Sequence, residues 1–206
     1  MKSRLRSVIL IGLTVLGAAA AWLFVTRSTV PPRAEMMIET SAGMPRPADA
    51  RTAADQVLLA LKARNGAMLA ELIDSDGVRL SPNAFVNVAD DQVLSPDEVR
   101  VLWTTTTRRI WGHSEGSGNV IHLTSASYFS RYVLDHDYSD AKVGVNADTD
   151  RGTSSNNASK VYPGATRVEY FWQGNEPLNW SILRLVLLPV DGSWRLVGII
   201  HDEWTP

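Results

Sequence analysis

His201, Asp202 and Glu203 lie at the end of an apolar run that begins at Leu196. Read as a strand, alternation puts Leu196, Gly198, Ile200, Asp202 and Trp204 on one face and Val197, Ile199, His201 and Glu203 on the other. Each face starts apolar and ends polar. At the mouth of a concave sheet, low dielectric and nearby aromatic rings would shift the ionisation of these groups and suit them to acid–base work. The plainer reading is that the strand has left the core by His201. Arg184 raises a related question, because it sits within Ile182 to Leu188 on the face of Trp180, Ile182 and Val186. A guanidinium there needs Asp202, Glu203 or Glu169 as partner, or else serves as an anchor for a carboxylate or phosphate ligand.

Aromatic residues supply the other candidate set. Tyr170 and Trp172 share one strand face, and with Trp111, Tyr128 and Trp204 they could wall a site for a flat apolar ligand or a sugar ring. Core packing explains the same residues. Tyr170 and Tyr128 are candidate hydrogen-bond donors beside His201 or Asp202 as base. Asp135, His136 and Asp137 are metal-ligand types, but neighbours on an extended chain point apart, so no metal is expected there. His113 and His122 flank a short Gly-containing segment and are expected as cross-strand neighbours. A Gly-rich phosphate loop, an HExxH zinc motif and a nucleophile elbow are all absent from the sequence. No cofactor is expected.

The elements that must position these residues come from 206 residues, 45% of them apolar, with ten prolines and no cysteine. That supports one domain with a buried core plus an appendage, and it removes thiol catalysis, disulfides and thiolate zinc sites. Without Lys2, Arg4, Arg6 and Arg27, the 20 basic side chains become 16 against 22 acidic ones, a balance of −6. An acidic body of this kind argues against nucleic acid as a partner.

Residues 1–27 read as a membrane segment. The run from Ser7 to Val25 would span about 28 Å as a helix, close to the thickness of a bilayer. The basic residues before it keep the amino terminus in the cytoplasm and send the remainder outward, as a bacterial inner-membrane protein with a periplasmic domain. Ala18 to Ala21 leaves a cleaved signal peptide as the alternative. Residues 28–47 hold four prolines and read as a flexible linker.

From 48 to 206 the pattern is α+β. A helix is expected from about Ala48 to Arg64, with Ala54, Val57, Leu58 and Leu61 as its apolar stripe, and a second short helix over Met68 to Ile73. Short extended pieces follow at Val78 to Leu80 and Ala84 to Val88. Ser95, Pro96 and Glu98 then form a capping box for a helix to Thr104. A hairpin is expected around Ser114 to Gly118, with a helix capped by Thr124 or Ser125 after it. Asp148 to Ser159 reads as a solvent loop. Three strong strands close the chain at Thr166 to Gln173, Trp180 to Val190 and Trp194 to Trp204, the last two joined at Asp191-Gly192. The expected architecture is a curved antiparallel sheet packed on three to four helices.

That order of elements resembles the cone-like nuclear transport factor two-like (cystatin-like) fold. The segments GVRLSP at Gly77 to Pro82, RIWGHSEGSG at Arg109 to Gly118, VYPGA at Val161 to Ala165 and RLVGIIHDEWTP at Arg195 to Pro206 resemble an uncharacterised group of exported bacterial proteins, many of them lipoproteins. The resemblance implies a fold and an exported location, and carries no activity. This chain lacks the lipid-bearing cysteine of the lipoprotein members. The expectation is a membrane-anchored periplasmic domain that binds a small ligand through residues such as Arg184, Trp172, Trp111 and Trp204, or an envelope protein, or a second copy across the outer sheet face. The alternative is a cofactor-independent isomerase, dehydratase or hydrolase acting on a small apolar substrate.

Overall fold

The computed structural model describes residues 47–147 and 155–204. The chain divides after Gly43, and every described residue belongs to the second part. The anchor expected at 1–27 and nearly all of the expected linker therefore lie outside the described residues. Among the described residues no helix is long and apolar enough to cross a membrane.

The fold is mixed α+β. The elements run α1 (Ala50–Lys62), α2 (Gly66–Leu72), β1 (Val78–Ser81), β2 (Gln92–Leu94), α3 (Pro96–Arg100), β3 (Arg108–His113), β4 (Val120–Thr124), α4 (Ser125–Tyr132), β5 (Lys142–Val145), α5 (Ala158–Val161), β6 (Thr166–Gln173), β7 (Trp180–Val190) and β8 (Ser193–Glu203). Six strands form one sheet in the order β2-β1-β8-β7-β6-β5, and β3 pairs with β4 in a separate hairpin. All pairings are antiparallel except β1 with β8, which run parallel. This corrects the all-antiparallel expectation. Strand β1 is reached early in the chain and joins a strand some 120 residues later, so no hairpin dictates its direction.

Local chemistry sets the helix starts. The Asp49 side chain accepts from Thr52 N at 2.7 Å, and Asn65 Oδ1 accepts from Met68 N at 3.0 Å. Ser95 and Glu98 make the reciprocal capping box. Thr124 caps α4 through Ser127 N at 3.2 Å. These oxygens satisfy amide groups that a helix start otherwise leaves open.

Strand β7 organises the core. Leu183, Leu185 and Leu187 face α1 with Val168, Tyr170, Leu196 and Ile199, while Val186 and Ile200 turn to a second cluster with Val86, Ala158 and Ala165. The chain's own Val161 and Tyr162 also pack on that second face, beside Leu188 and Val197. Asp191 and Gly192 both have positive φ, 48° and 68°, the left-handed pair that a two-residue hairpin requires.

Several expectations are corrected. The simple alternation along β8 fails because a bulge intervenes: Val186 lies opposite Gly198, but Leu187 lies opposite Leu196. The extra residue, Val197, moves Leu196 onto the helix-facing side with Ile199 and His201. At Gly198 a Cβ would come within 2.8 Å of the Tyr162 hydroxyl, so the close approach of that ring requires glycine. Ala84 to Val88 is not a strand, because Val86 finds its partners in the Asn157 amide, donating to Oδ1 at 2.7 Å and accepting from Nδ2 at 3.0 Å. The third helix ends at Arg100 and continues only as turns to Thr104. Strands β2 and β5 were not foreseen, being three and four residues long at sheet edges. A short helix, α5, begins at the end of the expected solvent loop and runs past it, so five helices are described in place of three to four. His113 and His122 are not cross-strand neighbours. A register shift puts Ile110 opposite His122 and Val120 opposite His113.

Candidate functional site

The register of β7 on β8 places Ser181 opposite Glu203 and Leu183 opposite His201. Ser181, His201 and Glu203 therefore share the helix-facing side near the ends of the two strands. The segment leaving α4 brings Asp135 onto them. Asp135 Oδ2 accepts from Ser181 Oγ at 2.8 Å and lies 3.2 Å from His201 Nε2, while Oδ1 accepts from the Tyr138 hydroxyl at 2.7 Å. Tyr138 and Ser181 also touch, at 2.7 Å. His136 Nε2 is 3.5 Å from Asp135 Oδ2, and its ring stacks on Trp172 at 3.6 Å. The second nitrogen of His201, Nδ1, lies 3.2 Å from the Pro82 carbonyl. A carbonyl only accepts, so Nδ1 carries a proton and Nε2 is the nitrogen directed at Asp135.

The charges follow from this geometry. Burial pushes the Asp135 carboxyl up, but the hydrogen bond and charge of His201, with Tyr138 and Ser181, outweigh it and hold the group well below the usual carboxylate range. Burial and the Asp135 charge push the Tyr138 hydroxyl far above its ordinary value, so it remains a donor.

A hollow of about 150 Å³ opens above His201, lined by Pro82, Asn83, Glu115, Arg131, Tyr132 and Glu203 among others. Helix α4 supplies Arg131, whose guanidinium lies 4.7 Å from the Tyr132 ring centre and donates to both Glu203 oxygens, at 2.5 and 3.2 Å. Tyr132 meets the His201 imidazole edge-on at 5.5 Å. On the opposite wall Asn83 accepts from Glu115 N at 3.2 Å and donates to the His113 carbonyl at 2.9 Å, tying the β3–β4 hairpin to the loop after β1.

Ser181, His201 and Asp135 are the residue types of a hydrolytic triad in a different arrangement. The serine hydroxyl and the carboxylate meet the same imidazole nitrogen, Ser181 Oγ lying 3.4 Å from Nε2. Ser181 is fully buried and already donates to Asp135. A nucleophile must be reachable and its base must be oriented from the far nitrogen, and neither condition is met.

The sequence-derived candidates do not gather in one place. Arg184 and Asp202 face the other side of the sheet. Arg184 Nε donates to Glu169 Oε1 at 2.6 Å, and its Nη2 lies 3.9 Å from Asp202. Two of the three acids expected as partners, Glu169 and Asp202, are thus near it, whereas Glu203 is on the opposite face. Tyr170 donates to Asp55 at 2.7 Å beneath α1. Trp111 stacks on Tyr128 at 4.2 Å inside the core, its indole donating to the Leu123 carbonyl at 2.9 Å. Trp204 is partly exposed at the end of the described chain. Trp172 borders a second, larger hollow of about 410 Å³ with Asp137, Asp140, Lys142 and Phe171. Of the residues that the sequence singles out, His201 and Glu203 line the smaller hollow. Asp135 was noted in the sequence for its neighbours His136 and Asp137. Its real partners, Ser181 and Tyr138, carried no sequence signal.

Asp202 has a measurable consequence. Burial pushes its carboxyl up to about 7, against the pull of Arg184 and His201. The folded form thus holds a proton that the unfolded chain gives up near pH 4, so this contribution to stability is full below that pH and is lost as pH rises towards 7. Asp202→Asn is expected to remove about 2 kcal/mol of the difference between pH 5 and pH 8. Urea midpoints of both proteins at the two pH values check this, and an unchanged difference would contradict it.

No known protein family matches the chain, and no curated protein matches it. Among solved structures, it is similar to a domain of unknown function with a cystatin-like fold from Nostoc punctiforme PCC 73102, over 76% of this chain and 75% of that one, at 10% identity and a TM-score of 0.34. It is also similar to a putative calcium/calmodulin dependent protein kinase II association domain from Xanthomonas campestris, over 77% of this chain and 91% of that one, at 15% identity and a TM-score of 0.30. At such values neither structure brings a function to this chain.

Proposed function

We propose that the chain is a membrane-tethered domain working outside the cytosol, and that it binds a small ligand bearing a cationic group in the hollow over His201, without catalysing a reaction on it. The observation that carries this reading is the charge of the hollow. Glu115 and Glu203 line it with Arg131 as the cation of the walls, and the ionised Asp135 lies directly behind His201. An ammonium or guanidinium group entering there would compete with Arg131 for Glu203 and gain a charge-assisted hydrogen bond. Tyr132 offers an aromatic face already used by one cation, Arg131. A space of about 150 Å³ suits only a few heavy atoms.

The tether is supported by the apolar run from Ser7 to Val25 and the basic residues before it. The isomerase or dehydratase alternative keeps His201 as its base. Asp202, its other candidate, faces away from the hollow.

Histidine ring resonances in the full-length chain test the reading, with ethylamine and methylguanidinium as probes and acetate as the anionic control. Saturable movement of the His201 signals by the two cations, weakened in Glu203→Gln, is the expected result. Movement by acetate alone, or by none of the three, would refute it.

A further inference from the structure

We infer that Asp135, His201 and Glu203 form a site for a first-row divalent metal ion, with zinc or manganese as the matching chemistry. The inference rests on reading the hollow over His201 as a binding site, and it specifies what that site holds.

One atom from each of the three residues lies within 4.8 Å of the others. His201 Nε2 is 3.2 Å from Asp135 Oδ2 and 4.0 Å from Glu203 Oε2. An ion held at about 2.0–2.2 Å from nitrogen and oxygen ligands brings those ligands to roughly 3–3.5 Å from one another, so small movements suffice. Three protein ligands beside an open hollow leave the remaining positions to water or to a ligand.

The surroundings also suit a metal. A metal-binding histidine generally donates its other ring N–H to a carbonyl or carboxylate, which aims the free lone pair. His201 does this through Nδ1 to Pro82. A ligating carboxylate is commonly steadied by hydrogen bonds, and Asp135 receives them from Tyr138 and Ser181. The donor set of one imidazole and two carboxylates without sulfur favours zinc or manganese over copper(I), and the imidazole disfavours magnesium and calcium.

The decisive feature is electrostatic. Nε2 of a buried imidazole lies 3.2 Å from one carboxylate and 4.0 Å from a second, an arrangement that favours a cation at that point. A proton on Nε2 is one candidate and a metal ion the other, and the two compete. Arg131 is a second competitor, since it holds Glu203 with both nitrogens. His136, 3.5 Å from Asp135 Oδ2, is the third basic group in reach of the site. Metal uptake would displace the Nε2 proton, turn Glu203 from Arg131 towards the ion and leave Nδ1–H on Pro82.

Zinc itself is the probe, added to chelator-stripped full-length chain in detergent micelles. Expected are about one zinc per chain, affinity that falls as pH drops from 7.5 to 5.5, and movement of the His201 Nε2 resonance with Nδ1 still protonated. Glu203→Gln is expected to weaken zinc at least tenfold and Tyr138→Phe about tenfold. Arg131→Gln should strengthen it by removing the competing guanidinium. The opposite signs of the Glu203 and Arg131 variants separate ligation from general damage, and circular dichroism checks that each remains folded. Zinc uptake indifferent to Glu203→Gln, or shifts confined to His113, His122 or His136, would overturn the inference. Binding of ethylamine without zinc would overturn it too, while leaving the ligand-binding reading standing. Zinc without ethylamine would support the metal site and refute the organic-cation reading.

Discussion

Arg184→Met is expected to lower the free energy of unfolding by about 3–5 kcal/mol, the range for breaking one partner out of a buried ion pair. Arg184 is fully buried in the middle of β7, and its Nε donates to Glu169 on the neighbouring strand at 2.6 Å. Methionine fills much of the same volume, so little of the loss comes from packing. The loss comes from Glu169, left as a buried carboxylate without its guanidinium, and from Asp202, which loses the nearest cation. Two further measurements distinguish this cause. The double variant Arg184→Met with Glu169→Met should recover most of the loss, because a buried pair replaced by apolar side chains is often neutral or stabilising. Arg184→Met should also move the titration of Asp202 still higher. A single-variant cost below about 1 kcal/mol in urea unfolding would show that the pair is not desolvated as the structure has it.

Asp135→Ala is expected to cost a similar amount, about 3–5 kcal/mol, for a different reason. It leaves Tyr138 Oη, Ser181 Oγ and His201 Nε2 without their common acceptor in a region with little access to water. Asp135→Asn keeps the shape and an acceptor, so its cost should be smaller. Its pH signature is specific. The folded carboxyl is held below its unfolded value, so its stabilisation is present above about pH 4 and is lost as pH falls through the lower, folded value. Asp135→Asn should therefore flatten the acid side of the stability profile below about pH 4. Asp202→Asn acts on the window between about pH 4 and pH 7, and with the opposite sign. Two acids on opposite faces of neighbouring structure can thus be told apart by the pH range each variant flattens. An Asp135→Asn profile identical to wild type below pH 4 would remove the carboxylate from the centre of the network.

The strands after Thr166 were legible because they are long and strongly apolar, and the Asp191-Gly192 turn specifies the pairing of β7 with β8 through its backbone conformation. The starts of α3 and α4 were legible for a similar reason, since the capping oxygens of Ser95 and Thr124 act on amides three residues away. Short edges such as β2 and β5 were not, because three or four residues carry too little pattern and depend on the neighbour already being present. Alternation along β8 misplaced Leu196 because a bulge depends on the partner strand and leaves no mark in local composition.

The candidate site shows the same division. His201 stood out in the sequence as an ionisable residue ending an apolar strand, and Arg184 as a charge that needed Glu169 or Asp202. Interactions between residues close along the chain, or between a buried charge and the few acids of matching parity, follow from composition and period alone. Asp135 and Tyr138 lie close along the chain, but their contacts with Ser181 and His201, and that of His201 with the Pro82 carbonyl, join residues 43 to 119 positions apart, and only the sheet register with the turn after α4 decided that they meet around one imidazole. Long-range contacts of that kind are set by how whole elements dock. The sequence by itself thus determined the secondary structure of the late strands, the capped helix starts and the lack of thiol chemistry. The tertiary structure alone decided which polar side chains share a buried space, and hence where a cation can be held.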